Sequence, residues 1–389
     1  MKSALLASGF RPMFLLAGLA ALALVPTWVL VWDYGLALPG FWPPTLWHAH
    51  EMVFGFVAAA IAGFLLTAVP SWTGQRGFAG APLLILLVLW VAARALIACA
   101  PEWLAVATMI VDVGFLVALG ILVAPPLLRS SNRNTPLLVV LAAFAACNTT
   151  FHVAVWHHNP GLALHAVLMA IDIALLLVTI IGGRIVPAFT ANALRASGYG
   201  ARIYTWPGVG VAALGAMAAV GLGDLFLPDT RAAGVLAAIA AGIQLVRLMQ
   251  WRSLATLRSP IVWVLHLGYA WLPLGLALKA AALLGQFALA AFWLHALTIG
   301  VLATMVLAVM TRAALGHTGR PLVVEPAIAL GYLLLLGAAL VRVFGLGALH
   351  LPYPGVIVLS ATCWALAFGI FGYVYAPILW LARVDGKPG

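Results

Sequence analysis

The sequence is short of charged residues, and this shortage excludes most soluble proteins. Only 7% of the 389 residues are charged, whereas soluble globular domains carry about 25% charged residues. Hydrophobic residues make up 65% of the chain, and the mean hydropathy is +1.15. No stretch is polar enough for a soluble domain. The chain is therefore expected to be an all-α polytopic membrane protein, with residues 1–389 forming a single integral membrane domain.

Cysteine is also scarce, which excludes several kinds of metal and haem attachment. The chain has three cysteines, Cys99, Cys147 and Cys363, and their spacing fits neither a metal site nor a redox motif. We interpret them as packing residues. No Cys-x-x-Cys-His sequence is present, so any bound haem is expected to be a noncovalent b-type haem.

Long apolar runs dominate the rest of the chain. A membrane span needs about 20 apolar residues, and this criterion predicts about twelve helices. The first run is long and lacks a small-residue cleavage site, so we expect the first helix itself to direct insertion. The predicted turns are Pro39-Gly40, Pro125-Pro126, Pro160-Gly161, Pro228-Asp229 and Leu351-Pro352. The predicted spans are roughly 13–32, 48–70, 82–100, 103–125, 136–157, 162–185, 206–226, 232–250, 260–283, 288–311, 324–346 and 354–380.

The lysines and arginines indicate an orientation. If the N-terminus is cytoplasmic, fifteen of the 19 fall on the cytoplasmic side, and only Arg94, Arg231, Lys279 and Arg342 fall on the other side. The positive-inside rule is then satisfied at nearly every loop, which predicts that both termini lie in the cytoplasm. The net charge of +10 therefore reflects the orientation of the chain in the membrane. It should also attract anionic membrane lipid, and nucleic acid is not expected as a partner.

Histidines in four predicted helices share one depth near the outer face. At 1.5 Å per residue, all lie within roughly 10 Å of the outer boundary. Imidazole is a common ligand of haem iron and copper, and polar groups at this depth are unfavourable without partners. The alternative for each one is a hydrogen-bonded histidine at the interface. The candidate haem and metal ligands are His48 and His50 in the second helix, His152 in the fifth, His165 in the sixth and His295 in the tenth.

Other histidines are separate from this group. His266, in the inner half of the ninth helix, is a candidate for a second metal site or a proton relay. His48 and His50 are about 200° apart around a helix, so they serve one site only if the helix start is unwound, and otherwise face different neighbours. The weaker candidates are His157, His158 and His350 in outer loops and His317 at the end of the tenth helix.

Ionisable residues at membrane depth form a second candidate group. Asp112 and Asp172 are each expected to pair with an arginine or to belong to a proton route, and Glu51 directly follows His50. Arg94 and Arg342, near the outer ends of their helices, are candidate partners for such acids or for haem propionates, because a guanidinium group binds a carboxylate with two hydrogen bonds. The alternative for both arginines is snorkelling to the interface.

A weak internal repeat relates the second, sixth and tenth helices. His48 is followed 21 residues later by Val69-Pro70, and His165 is followed 21 residues later by Val186-Pro187. His295 precedes Thr318 by 23 residues, so the third copy drifts in register. The pattern predicts three four-helix units around a pseudo-threefold axis, with coincidence as the alternative.

Twelve helices with histidines on the second, sixth and tenth resemble the catalytic subunit of haem-copper oxidases and nitric oxide reductases. Two departures are clear. That superfamily has two histidines on helix 10, where this chain has only His295, and it has copper-ligating histidines at helix 7, where this chain has none. The usual binuclear centre is therefore not expected, and the likeness is one of architecture.

A closer resemblance covers essentially the whole chain. It rests on Gly9-Phe10-Arg11-Pro12, Trp47-His48-Ala49-His50-Glu51-Met52, the segment from Gly63 to Gly74, the segment from Gly182 to Asn192, the segment from His295 to Arg320 with its Gly316-His317-Thr318-Gly319-Arg320 end, and the tail from Val384 to Gly389. These motifs resemble the NnrS family of haem- and copper-containing membrane proteins of the nitric oxide response. The resemblance implies haem b, copper, an inner-membrane location and protection against nitrosative stress.

Three functions follow as alternatives. The first is a haem or haem-copper protein that binds nitric oxide and reduces it as an oxidoreductase, or that relieves nitrosative stress in another way. The second is a transporter of a metal or metal complex, favoured by proline-interrupted helices near Pro70 and Pro187. The third is a haem-based sensor or a quinol-linked electron carrier without turnover.

Overall fold

The structure, a computed structural model, describes residues 4–38, 40–130, 132–198, 203–285, 287 and 291–387. Every regular element in this part of the chain is helical, and twelve helices are long and apolar enough to cross a membrane. Lipid offers no hydrogen bonds, so each span must satisfy its backbone internally, which a helix does. The predicted all-α polytopic class and the number of helices are confirmed. The helices are α1 (Phe10–Asp33), α2 (Pro44–Thr73), α3 (Ala81–Cys99), α4 (Glu102–Arg129), α5 (Leu137–Trp156), α6 (Pro160–Ala196), α7 (Val209–Phe226), α8 (Arg231–Met249), α9 (Pro260–Gly285), α10 (Trp293–His317), α11 (Pro326–Phe344) and α12 (Tyr353–Trp380).

Several predicted boundaries are wrong. The tenth helix, predicted to end at residue 311, continues to His317, and Pro160-Gly161, predicted as a turn, begins α6. Two further errors lie at prolines inside helices. The predicted turn at Pro125-Pro126 lies inside α4, and the sixth helix, predicted to end at residue 185, continues through Pro187 to Ala196. Proline removes one backbone hydrogen bond, but spanning helices tolerate it because neighbouring groups satisfy the freed carbonyl. Pro39 of a predicted turn and residues 288–290 of the predicted tenth span lie outside the described residues.

The helix ends follow from local sequence. Proline occupies the first turn of α2, α3 and α11, where its missing N–H leaves no intrahelical bond unmade. The chain leaves α2 at Gly74, whose φ of +64° is in the left-handed region that glycine adopts without strain. Its N–H donates to the carbonyl of Pro70 and so satisfies one of the last carbonyls of the helix.

The chain divides into two compact units. Unit 1 comprises Met1–Ala170, Met310–Pro321 and Phe368–Gly389, and unit 2 comprises Ile171–Val309 and Leu322–Ala367. The predicted threefold relation among three four-helix units stays a prediction.

The most buried helices of both units carry predicted site residues. In unit 1, α2 packs against α1 and α4, and 72% of its most apolar stretch of 18 residues is buried. In unit 2, α9 packs against α8 and α10, and the corresponding apolar stretches of α9 and α10 are each 67% buried. These helices carry His48 and His50, His266, and His295, respectively.

Two helices change their winding directly after a predicted ligand. The backbone of α2 is π-helical over Glu51–Val57, immediately after His50, and that of α10 is π-helical over Ala296–Ala303, immediately after His295. A π-helical turn shifts the faces on which later side chains lie, and such turns occur often at functional sites.

Candidate functional site

Three helices of unit 1 bring two imidazoles and a carboxylate together. His50 comes from α2, Asp112 from α4 and His152 from α5, and one potential ligand atom of each lies within 4.8 Å of the other two. The three residues are 0%, 2% and 5% exposed, respectively. Imidazole nitrogen and carboxylate oxygen are both ligands of first-row metal ions. We call these three residues the histidine–aspartate cluster.

The carboxylate of Asp112 is the centre of the cluster. Its Oδ2 accepts a hydrogen bond from Nδ2 of Asn148 at 2.8 Å. The same oxygen lies 3.0 Å from Nε2 of His152 and 3.2 Å from Nε2 of His50. The other oxygen, Oδ1, forms an ion pair with Arg94. Asp112 is thus fixed by side chains from α2, α3 and α5, and both of its oxygens are engaged.

Arg94 of α3 joins the two acids of the site. Its Nη1 lies 3.1 Å from Oε1 of Glu51, while its Nη2 pairs with Asp112. The guanidinium also lies over Trp90, 5.5 Å from the ring centroid. A side chain at Gly55 would place its Cβ 2.8 Å from Nη1 of Arg94, so glycine at this position allows the guanidinium to approach α2.

His50 is held at both ring nitrogens. Nδ1 lies 3.2 Å from Oε1 of Glu51, and Nε2 lies 2.9 Å from Oδ1 of Asn148 as well as near Asp112. Glu51 and Asp112 bring two negative charges against the single positive charge of Arg94. A further cation, either a metal ion or a proton on His50, balances the site.

Aromatic rings enclose the histidines. The ring centroid of His50 lies 4.8 Å from that of Trp42, 4.9 Å from that of Phe54 and 4.7 Å from that of Phe151. Trp42 also lies against His152 at 5.1 Å. This enclosure lowers the local dielectric and strengthens every charge interaction inside it.

The other two outer histidines of unit 1 lie outside this cluster. The first turns of α2 are α-helical through His50, so His48 and His50 face different neighbours. The His48 ring is half-buried and stacks on Trp28, with centroids 4.5 Å apart and planes inclined by 16°. His165, near the start of α6, is half-buried.

His266 in unit 2 has a hydroxyl group at each ring nitrogen. Nε2 lies 2.7 Å from Oγ1 of Thr190, and Nδ1 lies 2.9 Å from Oγ of Ser253. Both nitrogens are therefore engaged without a metal. His266 is thus hydrogen-bonded on both sides, and its predicted role as a second-site ligand or proton relay stays a prediction.

Asp172 of unit 2 meets a lysine and a second acid. It interacts electrostatically with Lys279 of α9 and with Asp224 of α7. Lys279 forms an ion pair with Asp224, and its Nζ lies 4.8 Å from the centroid of the Trp293 ring. Asp172 thus lies near a lysine–aspartate ion pair, and its predicted pairing with an arginine or part in a proton route stays a prediction.

Arg342 and His295 of unit 2 contact the same ring. The Arg342 guanidinium lies 4.7 Å from the Phe292 centroid and 5.6 Å from that of Tyr353. The His295 ring lies 6.4 Å from Phe292. Nη1 of Arg342 is buried and has no hydrogen-bond partner within the described part of the chain. A buried, unsatisfied guanidinium N–H is an attractive position for an anionic group.

The weaker histidine candidates lie at surfaces or helix ends. His158 is exposed and lies 3.2 Å from Glu102, and His157 and His350 are also exposed. His317 is the last residue of α10, as predicted, and its ring lies 5.6 Å from that of Phe10.

The family model described as NnrS protein matches residues 4–383, which is nearly the whole chain. The chain belongs to the NnrS family. No curated protein matches it.

The NnrS-family motifs account for part of the site. The motif from Trp47 to Met52 supplies His50 and Glu51, and His152 and Asp112 come from helices outside the quoted motifs. The predictions from the sequence placed the acids and Arg94 in one group and the histidines, by depth, in another. The structure instead groups His50 and His152 with Asp112, Glu51 and Arg94.

Sequence reasoning missed two residues of the site in this NnrS-family protein. Asn148 lies four residues before His152, so both face one side of α5, and an amide in an apolar span was a usable signal. Trp42 lies in the segment before α2, and its position against both histidines depends on folding. No local pattern in the sequence marks it.

Proposed function

We propose that this NnrS-family protein binds a copper ion at the histidine–aspartate cluster and that this centre binds nitric oxide within the membrane. The observation that carries the proposal is the arrangement of His50, Asp112 and His152. Their ligand atoms lie within 4.8 Å of one another, on three helices, in the buried interior of unit 1. Membership of the NnrS family supports a role in the nitric oxide response.

The donor set fits a first-row metal ion. Imidazole suits copper, iron and zinc, and a carboxylate with two imidazoles is also the ligand set of non-haem iron sites. The excess of negative charge favours a cation over a neutral ligand. Glu51 and Asn148 orient His50, and Arg94 and Asn148 orient Asp112, in the way that outer-shell groups usually orient ligands. A bound copper ion would supply one-electron chemistry and a coordination position for a diatomic molecule.

A haem does not fit the same place, because Trp42, Phe54 and Phe151 pack directly against His50. We propose that the haem b implied by the family is held in unit 2. There, His295 is the axial-ligand candidate and Arg342 the propionate partner, since both contact Phe292 and Nη1 of Arg342 lacks a partner within the described residues. His48 stays a proposed haem ligand, and His165 stays a proposed ligand of a second metal or haem site.

The transporter alternative loses its main support. It rested on interrupted helices near Pro70 and Pro187, and both α2 and α6 continue through these prolines. The sensor or electron-carrier alternative differs from the proposal in one observable. A carrier is reduced by quinol without responding to nitric oxide, whereas the proposed centre responds to nitric oxide directly.

The proposed location is the inner membrane, with both termini in the cytoplasm, as the lysine and arginine distribution favours. Quinol is the proposed electron donor if nitric oxide is reduced. Two nitric oxide molecules then give nitrous oxide and water with two electrons and two protons, and oxidation of one quinol releases both.

Electron paramagnetic resonance of the purified full-length protein tests the proposal. We expect a copper signal that changes on anaerobic addition of nitric oxide. His152→Ala should abolish the copper signal and its response, whereas His157→Ala, at an exposed position just beyond α5, should retain both. A response to nitric oxide that survives in His152→Ala would place the binding site elsewhere.

A further inference from the structure

Three sequence motifs that the metal centre does not use meet at one end of unit 1. The first is Gly9-Phe10-Arg11-Pro12 at the start of α1. The second is Gly316-His317-Thr318-Gly319-Arg320 at the end of α10, and the third is the segment Arg383–Lys387 after α12. Each segment lies at or next to an end of a spanning helix, so all three lie at a membrane boundary.

Hydrogen bonds and a close backbone approach connect these segments. Nη1 of Arg383 donates to the carbonyl of His317 at 2.6 Å, and the N–H of Val384 donates to the carbonyl of Thr318 at 3.2 Å. Nη1 of Arg11 donates to the carbonyl of Leu381 at 2.6 Å. A Cβ at Gly319, whose φ is +74°, would lie 2.7 Å from Oδ2 of Asp385, so glycine is needed for this approach.

The segments bring together three guanidinium groups. Arg11 is fully buried, and the positive charges of Arg320 and Arg383 both act on it. Asp385 is engaged by Arg383 through two hydrogen bonds of 2.9 Å and 2.6 Å. The bound Arg383 guanidinium holds the pKa of Asp385 below its usual range, so this carboxylate is ionised and committed to Arg383 at neutral pH.

Arg320 is the guanidinium that this arrangement leaves unsatisfied. Its Nη1 is buried and has no hydrogen-bond partner among the residues that the structure describes. A buried charged donor without an acceptor is unfavourable, and an anion with several oxygens would satisfy it. Repulsion among the three guanidinium groups would fall as well.

We propose that Arg320 forms a phosphate-binding site at this end of unit 1. Arg11 and Arg383 add positive charge beside it, while their own donors hold backbone carbonyls and Asp385. Phosphate oxygens match the planar fork of a guanidinium group. Basic pockets between spanning helices bind lipid headgroups, and the position at three helix ends matches that depth. The phosphate can come from an anionic lipid or from solution, and the two sources share the same recognition chemistry.

Binding and thermal unfolding of the purified full chain test this proposal. The probes are phosphatidylglycerol against phosphatidylcholine in mixed micelles, and sodium phosphate against sodium chloride at equal ionic strength. Arg320→Gln should weaken the binding of phosphatidylglycerol or of inorganic phosphate, whichever the wild type prefers, roughly tenfold. This is the effect of losing a charge-assisted hydrogen bond. Arg129→Gln, which removes an equal charge from the exposed end of α4, is the matched control and should change little.

The outcomes separate the sources. A preference for phosphatidylglycerol that Arg320→Gln removes and Arg129→Gln keeps supports the phosphate of an anionic lipid, because the phosphate of phosphatidylcholine is balanced by its own positive charge. Stabilisation by inorganic phosphate with the same dependence supports a soluble phosphate. The proposal is wrong if the wild type shows neither preference, or if both variants lose it equally, because that result reports net charge alone.

The variant Arg320→Lys tests the same site in case Arg320→Gln does not fold. It retains the charge but not the fork, so it should bind with intermediate strength while keeping the wild-type helix content. If Arg320→Gln fails to fold, the lysine variant decides the question. Wild-type affinity in Arg320→Lys would then overturn the assigned role of the guanidinium.

Discussion

The imidazole rings of His50 and His152 lie 5.3 Å apart, at 79° to each other, and both direct Nε2 to the same oxygen of Asp112. Two rings nearly perpendicular to each other, converging on one carboxylate oxygen, are already close to an arrangement in which one ion could take the central position. Aromatic rings enclose both histidines, and Asn148 holds His50 and Asp112, so little reorganisation is needed. This relationship underlies the predictions that concern unit 1.

Asp112→Asn should destabilise the protein and prevent metal binding. The change keeps the shape of the side chain but removes the negative charge that balances Arg94, and breaking a buried ion pair costs about 3 kcal/mol or more. Thermal unfolding in detergent and metal analysis measure the two effects. Asp33→Asn, at the exposed end of α1, is the control and should leave both unchanged. Full stability in Asp112→Asn would show that the ion pair does not hold α3 and α4 together.

Gly55→Ala should displace Arg94 from its two acidic partners. The added Cβ would lie 2.8 Å from Nη1 of Arg94 and 3.5 Å from Oε2 of Glu51, inside a well-packed region. We expect a loss of roughly 1–3 kcal/mol in the free energy of unfolding. Gly114→Ala in α4 has its nearest neighbour at 4.0 Å and should be neutral or stabilising. Equal behaviour of the two variants would count against the close approach of Arg94 to α2.

His295→Ala and Arg342→Gln should each lower haem content or shift the haem spectrum. The first removes the proposed axial ligand, and the second removes the proposed propionate partner. The pigment should be extracted by acid acetone, because the chain has no attachment motif for covalent haem. His350→Ala, at an exposed loop position, is the control. If haem with a normal spectrum survives in both variants, His48 and His165 become the next ligands to change.

Reporter fusions should place the C-terminus and the segment around Pro160 on opposite sides of the membrane. This expectation follows from the unequal distribution of lysine and arginine between the loops. An enzyme active only in the cytoplasm should work at the C-terminus and fail at Pro160, and an enzyme active only outside should do the reverse. Activity of one reporter at both positions would reject the proposed orientation.

Much of the fold could be predicted from hydropathy alone, for a physical reason. Lipid forces every span to be a helix of a minimum length, so twelve apolar runs become twelve helices. Proline misled the boundaries at Pro125-Pro126 and at Pro187 because rules from soluble helices do not hold inside a bundle. The π-helical segments after His50 and His295 had no sequence signal either, since they arise from packing.

The members of the site were easier to predict than their grouping. Ionisable residues in apolar runs are conspicuous, and His50, Glu51, Arg94, Asp112 and His152 were all named from the sequence. Depth along a helix can be counted from sequence, but the direction around the helix and the choice of neighbour depend on tertiary packing. That is why depth grouped His50 with four other histidines, whereas the folded chain joins it to one of them, His152, and to Asp112.

Metal analysis of the purified protein after incubation with copper and gel filtration tests the central claim most directly. The wild type should retain stoichiometric copper. His50→Ala and His152→Ala should each lose it, while His48→Ala and His157→Ala should retain it, because only the first two histidines belong to the cluster. Copper absent from the wild type, or retained in both His50→Ala and His152→Ala, would contradict the assignment of a metal centre to His50, Asp112 and His152.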